Sequence, residues 1–179
     1  QGVAGIGDIS FYVASPGVAR TNNMDQIINP MGAGSELIRA NRKNVDDQYA
    51  QLFDLKLLAG DFLRTSSPSG SSVINKKLSE SLGFDSPETA IGKRYVTSYD
   101  EAYIISGVVD DFHNNSLRGN IDPVFMINGP SQYFEGGVKL NLNDDFNDAL
   151  GEIEKIWSEV FTADVFSYRF IDEKVVQQY

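Results

Sequence analysis

The run Ala102-Tyr103-Ile104-Ile105-Ser106-Gly107-Val108-Val109 constrains the fold of this chain more than any other stretch. Its β-branched, nearly continuous apolar character predicts a strand covered on both faces, because a strand with one wet face alternates. Such a strand needs neighbours on either side and layers above and below, which the rest of the chain has to supply. The run stops at Asp110-Asp111-Phe112-His113, where two carboxylates meet the single histidine. Carboxylate and imidazole donors suit zinc or manganese, or an acid–base pair. With one histidine in the chain the sequence does not identify the remaining ligands. An aspartate that ends a strand and caps the following turn accounts for the same residues. Asp110, Asp111, Phe112 and His113 are therefore read as a structural junction.

The other segments predict a mixed set of short elements. Ile6 to Val13 alternates as a first strand and ends at Pro16-Gly17. Residues 18 to 34 read as a long loop, in which Met24 and Met31 are apolar residues without a periodic role. Glu36 to Val45 is extended again. Asp46 is placed to cap a helix carrying Tyr49, Leu52 and Phe53, with Val45 as its staple. Lys56 to Ala59 and Ser72 to Ile74 are short strands, and Asn75 caps a helix with Leu78 and Leu82 that ends at Gly83. Ser86-Pro87-Glu88 opens a single helical turn. Lys93 to Thr97 and Ala102 to Val109 form a hairpin with a glycine-free turn.

Val124 to Ile127 is a strand opened by Pro123, and Val138, Leu140 and Leu142 alternate as a half-buried one. Phe146, Leu150, Ile153, Trp157 and Val160 recur at helical spacing, with Asn143 or Asp144 as the cap. On that face Trp157 is expected in the core, where truncation to Ala costs about 3–5 kcal/mol. Phe166, Tyr168 and Phe170 alternate as a last strand, and Asp172 caps a final helix. Strand, helix and strand at the C-terminal end make a βαβ-like unit.

Charge and composition narrow the function classes. A formal charge of −10 argues against nucleic acid, whose phosphates require concentrated Lys and Arg. There is no cysteine, which removes disulfides, thiolate metal sites and cysteine nucleophiles. The 11 Phe and 8 Tyr suffice for a packed interior and fall mostly on expected core faces. Tyr133 and Phe134, beside Gly136-Gly137, are exceptions with Met24 and Met31, and these four form the candidate partner surface. No G-x-S-x-G elbow or phosphate loop is present, and Gly2, Gly5 and Gly7 precede a strand instead of following one. Asn114-Asn115-Ser116 is formally a glycosylation sequon. No catalytic residue, metal or cofactor is assigned. The chain begins Gln1-Gly2-Val3 without Met and ends inside a polar helical stretch, so it is expected to continue into a longer polypeptide.

Several segments together resemble the extracytoplasmic core domain of MacB/FtsX-type ABC transporter permeases in their Bacteroidetes form. They are Val45-Asp46-Asp47-Gln48-Tyr49, Phe53 to Phe62, Val73-Ile74-Asn75, Leu82-Gly83-Phe84, Ala90 to Lys93, Ile105 to His113 with Ser116-Leu117-Arg118, Ile153 to Trp157, and Phe170 to Glu173. The resemblance spans residues 45 to 179, with 1 to 44 matching loosely. It implies an α+β fold of two lobes: an outer, porter-like βαβ lobe (residues 1–44 plus 123–179) and an inserted lobe of short strands and helices (45–122). It also implies a non-catalytic domain at the periplasmic face of the bacterial inner membrane, joined to membrane helices of the same chain. The implied partners are a cytoplasmic ATPase, a second copy in a homodimer, and a periplasmic protein or exported peptide or lipoprotein. An extracytoplasmic ligand-binding sensor domain is the alternative, and a hydrolase built on Asp110, Asp111 and His113 is a third.

Overall fold

In the computed structural model, residues 6–17, 24–28, 37–115, 119–140 and 146–176 are described. Met31, Asn143, Asp144, Leu142, and Ser116 of the sequon lie outside them. The strands are β1 (Ile6–Tyr12), β2 (Met24–Ile28), β3 (Leu37–Asn44), β4 (Leu57–Gly60), β5 (Ser71–Asn75), β6 (Arg94–Thr97), β7 (Ala102–Val109), β8 (Val124–Ile127) and β9 (Glu135–Leu140). The helices are α1 (Tyr49–Leu52), α2 (Lys76–Ser81), α3 (Pro87–Ala90), α4 (Phe146–Val160) and α5 (Ile171–Val176).

The apolar run forms β7, and the expected cover on both faces is met only in its second half, Gly107 to Val109, while Ile104 in the first half is exposed. Seven strands form a sheet in the order β4-β7-β5-β8-β3-β2-β6. Arg94, Tyr95 and Val96 of β6 also pair antiparallel with Ile104, Tyr103 and Ala102 of β7. The sheet therefore closes on itself through β7, β5, β8, β3, β2 and β6. This is a small barrel, narrow enough for side chains to fill. The second half of β7 continues past β6 and pairs along that edge with β4. Two pairs, β3–β8 and β5–β7, are parallel.

Every barrel strand contributes an inward residue: Ile27, Ala40, Ile74, Tyr95, Tyr103, Ile105, Val108 and Phe125. Leu78, Leu82 and Ala90 from α2 and α3 pack onto the same cluster. A second core lies on the barrel's outer face, where Val73, Val109, Val124 and Met126 meet Tyr12, Val45, Tyr49 and Leu52. Burying one sheet on both faces is what the continuous apolar run requires.

Local signals explain the boundaries. Asn75 Oδ1 accepts from Leu78 N at 3.0 Å and starts α2. Gly83, at φ 88°, takes the left-handed position after it. In the β6–β7 turn Asp100 adopts φ 62°, the role a glycine usually fills.

Three expectations are corrected. Residues 24–28 are a strand and not loop, because β2 pairs with both β3 and β6 and buries Ile27 in the barrel. Asp46 is not the helix cap. Gln48 occupies that position, and the Asp46 carboxylate instead accepts from Ser10 Oγ and Phe11 N, both at 2.6 Å, holding β1 to the α1 turn. Phe166, Tyr168 and Phe170 are in no strand. Their rings pack in series, 6.1 and 5.8 Å between centroids, so the alternation serves ring contacts and not a sheet.

β1 and β9 form a separate two-stranded antiparallel ribbon. The expected lobe boundaries at residues 44 and 123 fall within the barrel, since β2, β3 and β8 share it with β5, β6 and β7.

Candidate functional site

The residues singled out in the sequence take separate places. Asp110 ends β7, with its backbone N donating to Lys56 O at 2.8 Å and its side chain accepting from Asp111 N. Asp111 Oδ1 accepts from Lys77 N at 2.8 Å, so it satisfies a second amide in the first turn of α2. Phe112 packs on the outer core. The His113 carbonyl accepts from Gly17 N at 2.7 Å. Beside them Asn75 Oδ1 also accepts from Val124 N at 2.9 Å, and its amide donates to Asp122 O at 2.8 Å. The cluster thus joins the ends of β5, β7 and β8 to α2. Among the described residues no group of three or more His, Asp or Glu side chains converges to hold a metal ion.

Of the four candidate partner residues, Met31 lies outside the described residues. Met24 is exposed on β2 of the barrel, and Phe134 is exposed where the chain enters β9. Tyr133 is tied down. Its hydroxyl sits 2.9 Å from both the Val45 carbonyl and Asn128 Oδ1, and its proton serves one of them at a time.

Two concave surfaces have no distinctive sequence signature. A cleft of about 690 Å³ runs between Thr65–Ser71, the edge at Tyr103, and Ile127–Tyr133. It is rich in hydroxyls, several of them engaged: Thr65 donates to Asp47 at 2.9 Å, and Ser67 accepts from Arg64 N at 2.9 Å. The Ser-Pro-Gly composition of the loop was its sequence signal, shared with any surface loop.

The second is an apolar groove of about 570 Å³ between the ribbon and α4. One face of the ribbon is sealed on α1: Tyr12 packs edge-on to Tyr49 and Phe53, and Gly137 has no room for a Cβ beside Tyr12 and Leu52. The opposite face carries Ile9, Phe11 and Val138 into the groove, against Ile153, Ile156, Trp157 and Val160 of α4. Trp157 is half-buried, its indole Nε1 without a hydrogen-bond partner, while Phe11 is 53% and Val160 65% exposed. The helical period was legible, but the expectation that its apolar face is core is only half met. Spacing reveals a stripe and not what covers it.

No family model and no curated protein sequence matches the chain. Its fold is similar to that of several solved domains. One is the extracellular domain of the noncanonical ABC-type transporter YknZ from Gram-positive bacteria, 13% identical, covering 91% of this chain and 80% of that one at a TM-score of 0.63. Another is the periplasmic region of MacB from Actinobacillus actinomycetemcomitans, 15% identical, covering 98% and 76% at 0.61. A third is a domain of a putative permease protein from Porphyromonas gingivalis, 16% identical, covering 98% and 85% at 0.57. The α+β fold is that of the MacB periplasmic region. Among the described residues no helix is long and apolar enough to cross a membrane.

Proposed function

We propose that the chain is the extracytoplasmic domain of an ABC transporter permease, doing no chemistry of its own. In this reading it lies at the outer face of the cytoplasmic membrane, joined to membrane helices of its own polypeptide. ATP hydrolysis by a cytoplasmic partner reaches it as motion, in a permease that works as a homodimer. Its outward surface meets an exported peptide, a lipoprotein or a periplasmic protein. The observation that carries the proposal is the fold, shared along nearly the whole chain with domains of such permeases. Fold alone does not decide function, so the local chemistry matters too. Asp110, Asp111 and the His113 carbonyl are spent on helix capping and strand-end bonds, which supports the structural-junction reading. In the lobe division we propose, the ribbon with α4 forms the outer lobe, and the barrel with α1, α2 and α3 forms the body.

The sensor alternative asks for an enclosed pocket with convergent unspent polar groups. In the cleft beside Thr65–Ser71 the Thr65 and Tyr133 hydroxyls are already bonded within the chain, so the transporter reading is preferred.

The absence of cysteine from these 179 residues lets a single introduced thiol report on the domain. A Tyr99→Cys change in the full-length protein, with any cysteine outside these 179 residues replaced by Ser, puts one thiol at an exposed hairpin tip. Intact cells should label it with a membrane-impermeant maleimide. Labelling only after lysis would place the domain inside the cell and sink the proposal.

A further inference from the structure

The most deeply buried cation of the barrel wall is Lys43 on β3. It is 3% exposed and makes no ion pair among the described residues. Its Nζ donates to two main-chain carbonyls, Ala14 at 3.1 Å and Ser15 at 3.4 Å, and stands 6.0 Å from the centre of the Tyr49 ring. Tyr49 Oη donates to the same Ala14 carbonyl at 3.1 Å. Ala14 and Ser15 belong to residues 13–17, which leave β1 and cross the outer face of the barrel. Val13 N bonds to Asn44 O at 2.9 Å at one end, and Gly17 N to His113 O at 2.7 Å at the other. This short segment is a roof over the amine, and removing it is the direct way to give the amine water.

We propose that Lys43 is a proton-operated latch, whose charging favours lifting of residues 13–17 from the barrel and whose discharging favours the closed roof. A buried ammonium trades its hydration for two carbonyls and a ring, an incomplete replacement for water. Burial accordingly pushes the amine down to about 7, with the Glu135 carboxylate on β9 pulling the other way. The groups facing it from the packed elements do not compensate. Tyr12 of β1 and Tyr49 of α1 are raised by burial and stay neutral. β8 presents Val124 and Met126, and the flanking residues are Asn41 on β3 and Val45 just past its end, all uncharged. His113 meets the segment through its carbonyl.

The sign follows from proton counting. With the roof lifted, the amine returns to the ordinary lysine range near 10.5. Between about pH 7 and about pH 10 the lifted form holds more protons than the closed one, so closure strengthens as pH rises. Below about 7 both forms are charged and the dependence levels off.

Native-state hydrogen exchange of the Val13 and Gly17 amides in the 179-residue chain reads the latch directly. After correction for intrinsic exchange, their protection should rise about tenfold per pH unit above about pH 7 and flatten below it. Lys43→Met, which keeps the stem and removes the proton site, should leave high, pH-independent protection. A ¹³Cε titration should place the Lys43 midpoint near 7. A midpoint near 10, flat protection in the wild type, or an unchanged slope in Lys43→Met would each overturn the proposal. Should Lys43→Met fail to fold, Glu135→Gln supplies the second arm. It removes the carboxylate that favours the charged amine and should move the onset to lower pH, and an unmoved onset counts against the latch.

Discussion

Asn75 shows how much a single side chain can organise. Its Oδ1 accepts from both Leu78 N and Val124 N, while its amide holds the Asp122 carbonyl. A helix start, a strand start and the connection between them hang on one fully buried amide. Asn75→Ala should lower the unfolding free energy by roughly 2–3 kcal/mol in urea melts, a cap plus buried groups left unpaired. A loss below about 0.5 kcal/mol would mean that water or a shifted neighbour replaces it. The capping half of this role was legible from Asn before a Leu-x-x-x-Leu run, because capping is local. The bond to Val124 spans 49 residues and left no mark in the sequence. Asp25 behaves alike. A carboxylate in a short polar stretch suggested loop, yet it lies inside the barrel because Arg42 Nε reaches it at 2.7 Å and Arg42 also holds Glu101. Ion pairing across strands overrode local propensity there.

Among the elements, α4 was the clearest in sequence and the least settled in packing. Its period follows from 3.6 residues per turn, a property of the helix itself. The depth of its contact with the ribbon is a tertiary property. Trp157 touches Phe161 and Phe166, at 4.5 and 6.0 Å between ring centroids, but remains partly open to the groove. Trp157→Ala should therefore cost about 1–2 kcal/mol, less than the 3–5 expected of a core tryptophan. A measured loss above about 3 kcal/mol in denaturant melts would show that the groove is closed in solution. β7 stands at the opposite pole. Its apolar run foretold burial on both faces, which holds from Gly107 to Val109 but not at the exposed Ile104, and Gly107 has no room for a Cβ against the Asp61 carbonyl. That interior glycine marked a close backbone approach.

At the scale of the molecule, the two cores lie on opposite faces of one closed sheet, so neither survives opening of the other. β5 has a strand on either side and its Val73 and Ile74 point into different cores. Its amides should exchange only through global unfolding, whereas those of α4, with most of its surface wet, should exchange through local opening. Equal protection in the two would show one cooperative unit and refute the division into body and outer lobe. Barrel closure itself was not legible. The hairpin of β6 and β7 was, but the strand that completes the ring, β2, is short, polar at two of five positions and flanked by uncharacteristic residues.

The register of the ribbon carries a mechanical meaning. Ile6, where the chain enters β1, lies opposite Leu140, where it leaves β9. A tension applied between those two points opens the ribbon like a zip, breaking one rung at a time at low force. The parallel pair β5–β7, pulled along its strands from opposite ends, is loaded in shear, with several bonds sharing the strain together. One chain thus contains a compliant joint beside a stiff housing, and the difference comes from strand direction alone.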